Sequence, residues 1–367
     1  MTATSRIKAL LAGERLARPA ISGWLHLPHV DRDPASFIQE TIRLTDENRW
    51  DFIKVMSNGH YMAEAYGADI VFSRDPAQWS GVFLRYPIAS ADDLANLPVL
   101  EADNPVLTRE IEIIRGLARH YQGGVPLLAT LFTPLTWIQE MTRSTQPGPT
   151  LAFIRNHPSA LRHGLDALLQ TNLNFLDALL QAGIDGIFLA TQYARGDLLS
   201  AAEYQTFCRP YDEALLSHIK GKTWFNILHI HGESHLLFEP CLDYDVQAFS
   251  WENDPLSVTP SQRTSIAHVR AMTDKILIAG IDQNRDFHYA SGQRVAVKAR
   301  LRQRLRQIEE QSGERGFIFA PGCALPLDVD GRLFTLLAEI SQEQEQADNS
   351  SSPKPPAKTD PRLLPRG

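Results

Sequence analysis

The stretch "TWFNILHIHGESH", residues 223–235, decides the fold, because it joins a buried strand to a polar turn. Its mostly apolar run is too short for an ordinary helix and stops before Gly232, as expected of a strand buried on both faces. His229 and His231 are two residues apart, so on a strand both side chains point to the same face. The stretch therefore predicts a strand that carries two imidazoles to one edge of a sheet.

Seven further apolar runs of this kind occur, each followed by a turn and a helical pattern; they cover residues 20–27, 51–56, 125–132, 184–190, 246–252, 276–282 and 316–322. The longest helical pattern, residues 158–183, has Pro158 at its start and Gly183 at its stop. Eight strand–helix units without a block of strands alone predict a parallel sheet, and eight such strands close a TIM barrel. A doubly wound open sheet is the structural alternative, but no GxGxxG motif follows the first strand.

We predict an α/β fold with a single (β/α)8 TIM barrel over residues 1–344. The segment from about 60 to 120 is long for one β/α unit, so we expect extra helices over the barrel mouth. Residues 345–367 are polar and rich in Ser and Pro. Such a segment cannot bury enough apolar surface to order itself, so we predict a disordered tail.

Composition excludes several classes of protein. A net charge of −7 and a pI near 6.0 argue against a nucleic-acid partner, which needs concentrated Lys and Arg. The one basic cluster, residues 297–307, has the spacing of an amphipathic helix with a solvated face. No apolar stretch is long enough to span a membrane, and no secretory signal is visible. With three cysteines and no disulfide framework, we expect a cytoplasmic protein.

Unusual polar residues follow the predicted strands at the edge where a TIM barrel carries its chemistry. We predict that seven of them contact a substrate: His26, His29, Asn58, His60, Thr191, Gln192 and Trp251. Trp251 would form an apolar wall for a flat ligand, with packing in the core as the alternative.

His229, His231 and Cys323 are the strongest combination. Two imidazoles and a thiolate are good Zn²⁺ ligands, and three protein ligands leave the fourth tetrahedral position open for a substrate. The alternative is that His229 is a hydrogen-bonded core residue and Cys323 a small buried hydrophobe. We predict catalytic roles for His229, His231 and Asp282, where Asp282 would orient a ligand histidine through its second nitrogen or would cap the following helix.

The run "ILHIHGES" (227–234) resembles the strand-5 signature of the uroporphyrinogen decarboxylase superfamily. Four further segments resemble the same family in the same order: "WDFIKVMSNGHYMAEAYGADIVF" (50–72), "AGIDGIFLATQYA" (182–194), "AGIDQNRDF" (279–287) and "GFIFAPGCALP" (316–326). The resemblance covers about residues 5–340 and implies a TIM-barrel enzyme.

The family has two chemical branches, and this chain departs from the decarboxylase branch at four places. Authentic uroporphyrinogen decarboxylases carry an arginine-rich N-terminal motif, where this chain has "SGWLHLPHVDRD" (22–33), with Arg32 alone. The aspartate expected after strand 2 is missing from "VMSNGHY" (55–61). Thr136, Trp137 and Glu140 lie near the expected strand-3 tyrosine, and Gly322-Cys323-Ala324 replaces Gly-His-Gly. These differences weigh against decarboxylation of uroporphyrinogen.

The other branch resembles methyltransferases that transfer a methyl group from a corrinoid protein to a thiol. Their zinc motif is His-x-Cys plus a distant Cys; here His229 and Cys323 match, and His231 stands in the middle position. The resemblance implies zinc-dependent methyl transfer between a corrinoid protein and a small thiol or oxygen substrate. It also implies a corrinoid-protein partner and a homodimer.

Two alternatives remain open. One is a cofactor-free decarboxylase acting on uroporphyrinogen or a related carboxylated tetrapyrrole, in which the histidines act as general acids and His26 and His29 hold carboxylates. The other is a non-catalytic barrel that binds a tetrapyrrole or a metal. Loss of metal from variants of His231 and Cys323 would distinguish the metal hypotheses from cofactor-free decarboxylation.

Overall fold

The computed structural model describes residues 1–351 except 74, 76, 79–80, 143–146, 289–292 and 314–315. Eight parallel strands form one sheet, and they are β1 Ala20–Ile21, β2 Ile53–Val55, β5 Leu127–Phe132, β6 Gly186–Thr191, β7 Ile227–Ile230, β8 Ala248–Trp251, β9 Ile276–Ile281 and β10 Phe317–Pro321. A separate antiparallel pair is formed by β3 Asp69–Val71 and β4 Val82–Arg85. All eight predicted barrel strands are therefore confirmed.

The sheet closes into a TIM barrel. Its order is β1-β10-β9-β8-β7-β6-β5-β2, so β1 and β2 are the two ends. They are joined by a hydrogen bond from the Asp51 backbone N–H to the Ile21 carbonyl (2.8 Å) and one from Ser22 Oγ to the Phe52 carbonyl (2.9 Å). The Asp51 carboxylate also accepts the Ile21 N–H at 2.9 Å. A side chain thus completes the closure where the backbone ladder of β1 is short.

Helices surround the barrel, and they are α1 Ala3–Leu11, α2 Pro34–Asn48, α3 Tyr61–Ala65, α4 Ala91–Ala95, α5 Pro105–Tyr121, α6 Pro134–Met141, α7 Gly148–Asn156, α8 Pro158–Ala182, α9 Ala201–Phe207, α10 Arg209–Ile219, α11 Ile266–Met272, α12 Arg294–Ser312 and α13 Thr335–Ser351. The long helix α8 begins at Pro158 and ends before Gly183, whose φ of 105° only glycine adopts easily. Both predicted boundaries of this helix are correct. Short 3₁₀ turns lie at Glu239–Cys241, Pro260–Gln262 and Gly331–Leu333.

The basic cluster lies on α12, which buries Val297, Leu301, Leu305 and Ile308 along one face. Beside this face, Lys298 and Arg302 both form ion pairs with Glu343 of α13. The basic residues are therefore part of the packing between two helices, as expected of an amphipathic helix.

The segment from 60 to 120 contains the expected extra helices α3 and α4 and also the β3–β4 hairpin, which the sequence analysis did not predict. The two strands are only three and four residues long, and Val71, Val82 and Leu84 on them are exposed. Such short strands without a buried face give no alternating pattern to recognise. The Phe83 ring packs edge-on against His60 with ring centroids 4.9 Å apart, so the hairpin stands at the barrel mouth.

The last helix, α13, continues to Ser351, past the boundary that we predicted at residue 344. Gln, Glu and Ala in this segment are good helix formers, so a polar composition does not stop the helix here. Residues 352–367 of the predicted tail lie outside the described residues. Across the described part of the chain, no helix combines the length and the apolar character needed to cross a bilayer.

Candidate metal centre

The ends of β7 and β10, which are separated by β8 and β9 in the sheet, bring His229, His231 and Cys323 together at the barrel mouth. His229 lies in β7, His231 follows its last residue, and Cys323 follows β10. Cys323 Sγ is 3.8 Å from His231 Nδ1, and one ligand atom from each residue lies within 4.8 Å of the other two. The three residues that we predicted as ligands therefore form one cluster.

Gly322 places the sulfur of Cys323 in this cluster. A Cβ at position 322 would lie 2.8 Å from Cα of Glu252 and 3.0 Å from the Trp251 carbonyl, both of which are backbone atoms that cannot move aside. The Gly322 N–H donates to the Ile281 carbonyl at 3.0 Å. Only glycine allows β10 to approach the end of β8 this closely.

Ser250 holds the imidazole of His229. It lies opposite His229 in the β7–β8 register, and its Oγ is 3.2 Å from His229 Nδ1. Both residues are buried. This hydrogen bond occupies one ring nitrogen and fixes the orientation of the other, which is the arrangement that metal-ligating histidines usually have.

Ser250, and not Asp282, contacts the His229 ring, so the structure shows no support for the predicted role of Asp282 at this histidine. The Asp282 carboxylate accepts the Asn284 N–H at 2.9 Å and lies 3.5 Å from the Arg285 guanidinium. Asp282 therefore caps a turn after β9, which resembles the alternative role of capping the following helix.

The protonation states of the cluster suit a metal. Burial lowers the pKa of His229 well below its usual range and also lowers that of His231, so both imidazoles are neutral, the form that binds metals. Burial, with a smaller contribution from Glu252, raises the pKa of the Cys323 thiol to about 11. A cation is therefore needed to hold this sulfur as a thiolate at neutral pH.

The separation between Cys323 and His231 also fits zinc. Bond lengths of about 2.0–2.1 Å to nitrogen and 2.3 Å to sulfur separate a tetrahedral N and S pair by about 3.6 Å. The observed separation of 3.8 Å between Cys323 Sγ and His231 Nδ1 is close to that value. Two nitrogens and one sulfur are a donor set that zinc accepts, with one position left for a substrate atom.

The cluster lies in the wall of a cavity of about 540 Å³ at the barrel mouth. Four of the predicted substrate contacts line the same cavity: His26, Asn58, His60 and Gln192. Apolar side chains such as Met56, Phe132 and Leu325 line it as well. A concave, mostly apolar cavity with a few polar groups is typical of a small-molecule site.

Hydrogen bonds fix the polar groups of this cavity before any ligand binds. The Glu140 carboxylate lies 3.5 Å from His60 Nδ1 and accepts from Gln192 Nε2 at 3.3 Å. The Asn58 side chain donates to Asp31 at 2.9 Å and accepts the His60 N–H at 2.9 Å. These side chains are therefore held in one arrangement rather than ordered by the ligand.

The structure places three predicted contacts elsewhere. His29 is exposed and does not line the cavity. Thr191 is fully buried and contributes its backbone carbonyl, which accepts the His231 N–H at 2.9 Å.

Trp251 points away from the cavity, because side chains alternate along β8 and Ser250 takes the inward position. Its Nε1 donates to the Thr264 carbonyl at 2.7 Å, and its ring packs on Phe238. The packing alternative is therefore correct for Trp251.

Lys54, Ser250 and Glu252 also belong to this region, although no role was predicted for them from the sequence. Lys54 lines the cavity from β2, where a lysine between apolar residues in "DFIKVM" was an available signal. Ser250 and Glu252 follow from the same alternation that turns Trp251 outward, once the register of β8 is known. Glu252 is buried and accepts a hydrogen bond from Gln283 at 2.5 Å.

A family profile described as uroporphyrinogen decarboxylase (URO-D) matches residues 21–343. Individual relatives are distant. A uroporphyrinogen decarboxylase from Corynebacterium glutamicum (strain R) is 28% identical over 169 residues, which are 46% of this chain and 44% of that protein. One from Rhodococcus opacus (strain B4) is 26% identical, with 52% of each chain covered. The chain thus spans about half the length of the curated relatives it matches.

Among solved structures, a methyltransferase from Methanosarcina mazei matches with a TM-score of 0.74 and 16% identity, covering 94% of this chain and 99% of that one. A B12-independent methionine synthase from Shewanella sp. W3-18-1 matches with a TM-score of 0.55 and 11% identity, covering 91% and 99%. At these identities the likeness shows a shared fold.

Proposed function

The chain belongs to the uroporphyrinogen decarboxylase family, and from that premise we propose that it is a zinc-dependent methyltransferase acting between a corrinoid protein and a small thiol or oxygen substrate. The observation that carries the proposal is the cluster of His229, His231 and Cys323, whose ligand atoms lie within 4.8 Å of one another at the mouth of the barrel. The fold shared with a solved methyltransferase supports it.

In this proposal His229, His231 and Cys323 would hold a zinc ion, and its chemistry would be to lower the pKa of a substrate thiol or hydroxyl at the fourth position. Ser250 keeps the His229 ring in its binding orientation. The cavity walls hold the substrate and exclude water, so that the activated atom meets the methyl group and not a competing nucleophile. A corrinoid on the partner protein would donate or accept the methyl group at that atom.

His231 sets the electronic character of the site. A neutral imidazole in place of a thiolate makes the ligand set one unit less negative than the two-cysteine set that the resemblance implies. A zinc ion with less electron-rich ligands withdraws more charge from the bound substrate atom. The substitution therefore favours polarisation of an oxygen substrate over high nucleophilicity of a bound thiolate, and both substrate types belong in the assay.

Metal analysis of the purified protein tests the ligand set. We expect about one zinc per chain in the wild type and loss of most of it in His231→Ala and Cys323→Ala, because each removes one of three ligands. His268→Ala, which removes an exposed imidazole on α11, and Cys241→Ser are matched controls that should retain the metal. A wild-type protein without stoichiometric zinc, or a Cys323→Ala variant that keeps it, would contradict the proposal.

Turnover is tested with methylcobalamin as the methyl donor and a panel of small thiols and hydroxyl compounds, by following the visible spectrum of the corrinoid. We expect demethylation that requires zinc and is lost in Cys323→Ala. Full binding of metal without any turnover on this panel or with tetrapyrroles would favour the non-catalytic barrel.

Decarboxylation of a carboxylated tetrapyrrole is a second candidate, favoured by the basic side chains His26, Lys54 and His60 that line the cavity and by the relatives described as uroporphyrinogen decarboxylases. In this candidate the histidines act as general acids. It predicts that metal-free protein releases carbon dioxide from uroporphyrinogen at the rate of untreated protein. Activity that disappears with the metal would exclude it.

A further inference from the structure

Lys54 is a charged side chain inside the barrel. It lies in the middle of β2, between Ile53 and Val55, whose side chains are buried. Lys54 itself lines the cavity. Its ammonium nitrogen is 4.3 Å from the ring centroid of Phe188 and 5.4 Å from that of Trp24. Two aromatic faces thus form the floor on which the ammonium group rests.

No carboxylate among the described residues lies within ion-pair distance of the Lys54 ammonium group. Acids near this part of the cavity have other partners, since Glu140 pairs with His60 and Glu252 is bound by Gln283. Asp328, which also lines the cavity, pairs with His288 at 3.2 Å. Burial lowers the pKa of Lys54 to about 8, against a smaller opposing effect of Cys323, so the group is still mostly charged at pH 7. A buried charge without a partner is costly, and aromatic faces recover only part of that cost.

Lys54 and the metal cluster face the same part of the cavity. The His229 ring packs against Phe188 with ring centroids 5.4 Å apart, and the Lys54 ammonium lies over that same Phe188 ring at 4.3 Å. Cys323 is also close enough to affect the pKa of Lys54. One small molecule can therefore reach the ligand cluster with one end and the ammonium group with the other.

The neighbouring His26 side chain does not add a second positive charge beside Lys54. Burial, followed by the charge of Lys54, lowers the pKa of His26 to about 3, so this imidazole is neutral at pH 7 and offers only hydrogen bonds. A lone ammonium group matches a singly charged anion better than a phosphate dianion, which is usually bound by several basic groups or backbone N–H groups.

We propose that Lys54 forms an anion subsite that selects a substrate carrying a carboxylate, next to the thiol or oxygen atom that the His229, His231 and Cys323 cluster receives. The substrate is then a small mercapto, hydroxy or alkoxy acid. Binding of the thiol or oxygen atom by the metal rests on the proposed function, whereas the pairing of Lys54 with a carboxylate does not.

Calorimetric titration with matched probes tests the subsite. 3-Mercaptopropionate carries a thiol and a carboxylate, 3-mercaptopropionamide has the same size without the charge, and propionate has the charge without the thiol. We expect the wild type to bind mercaptopropionate at least about tenfold more tightly than the amide, which is about 1.4 kcal/mol. In Lys54→Met this preference disappears, while the affinity for the amide and the zinc content stay the same. Lys220→Met, which removes an exposed lysine, is the control that keeps the preference.

The outcomes separate the two proposals. Equal binding of the acid and the amide to zinc-loaded wild type overturns the subsite and leaves the metal centre standing. Failure to bind zinc, together with propionate binding that Lys54→Met abolishes, overturns the metal centre and leaves the subsite standing. Loss of zinc from Lys54→Met, with the preference for the acid retained, would show that Lys54 acts on the metal ligand Cys323 and not on the substrate. This result would overturn the subsite.

Discussion

Replacing Lys54 by methionine should make the ligand-free protein more stable at neutral pH, because it removes a buried cation and keeps an unbranched side chain in its place. The pKa of Lys54 falls from 10.5 to about 8 on folding. At 1.36 kcal/mol per pKa unit, the charged lysine costs the folded state about 3 kcal/mol below pH 8. We therefore expect the free energy of unfolding of Lys54→Met to exceed that of the wild type at pH 7.

The difference between the two proteins should depend on pH with a definite sign. Because the pKa of Lys54 is lower in the folded than in the unfolded state, the wild type gains stability as pH rises above about 8 and loses it as pH falls through that value. The methionine variant has no such dependence at this position. Between pH 7 and pH 9 the advantage of Lys54→Met should shrink by about 1.4 kcal/mol.

Urea unfolding of metal-free protein at pH 7, 8 and 9, followed by circular dichroism, measures these differences. Lys220→Met, at an exposed position, should show no such change of stability with pH. A variant less stable than the wild type at pH 7, or an advantage that grows toward pH 9, would mean that Lys54 has an anionic partner within the protein. Such a result would also refute the substrate subsite at Lys54.

Two further predictions concern buried polar groups. Ser250→Ala removes the hydrogen bond to His229 Nδ1 and should weaken zinc binding by about 10–100-fold. Competition with a chromophoric chelator measures this affinity. Unchanged affinity would mean that the orientation of the His229 ring does not depend on Ser250. Asp212 is buried beside the Tyr244 hydroxyl, which donates to it at 3.1 Å, and burial raises its pKa from 3.8 to about 8. Because the pKa of Asp212 is higher in the folded than in the unfolded state, its contribution to stability is complete below pH 3.8 and is lost as pH rises toward 8. Between pH 5 and 7 the wild type should therefore lose about 1.4 kcal/mol per pH unit relative to Asp212→Asn. Urea unfolding at both pH values checks this, and parallel curves for the two proteins would show that Asp212 is ionised in the folded state.

The barrel could be predicted because its strands are local features of the sequence. Each of the eight runs is a short apolar segment followed by a helical pattern, and each became a strand within a few residues of the predicted range. The exception in length is β1, which spans only Ala20–Ile21 although the apolar run continues to residue 27. Beyond it the chain makes only an isolated bridge from Leu25 to Leu325, and Pro28, without a backbone donor, is followed by a turn.

Part of the candidate site could be predicted for the same local reason. The i, i+2 spacing of His229 and His231 put both rings on one face, and Cys323 supplied a third residue type that zinc accepts. The positions of the Asp282 and Trp251 side chains could not be predicted in this way, because the direction of a side chain at a strand end depends on the strand register and on the turn that follows. Neither the strand register nor the geometry of the turn can be read from one segment of sequence.

The sequence by itself determined the number of strands, the edge of the barrel that carries polar groups and the residues able to bind a metal, because strand periodicity and ligand chemistry are properties of short segments. Only the tertiary structure decided which groups meet there. Ser250 reaches His229 through the pairing of β7 with β8, and Lys54 reaches the cavity floor through rings contributed by Trp24 and Phe188. These contacts join residues far apart in the chain, and their distances are fixed by how the closed barrel packs.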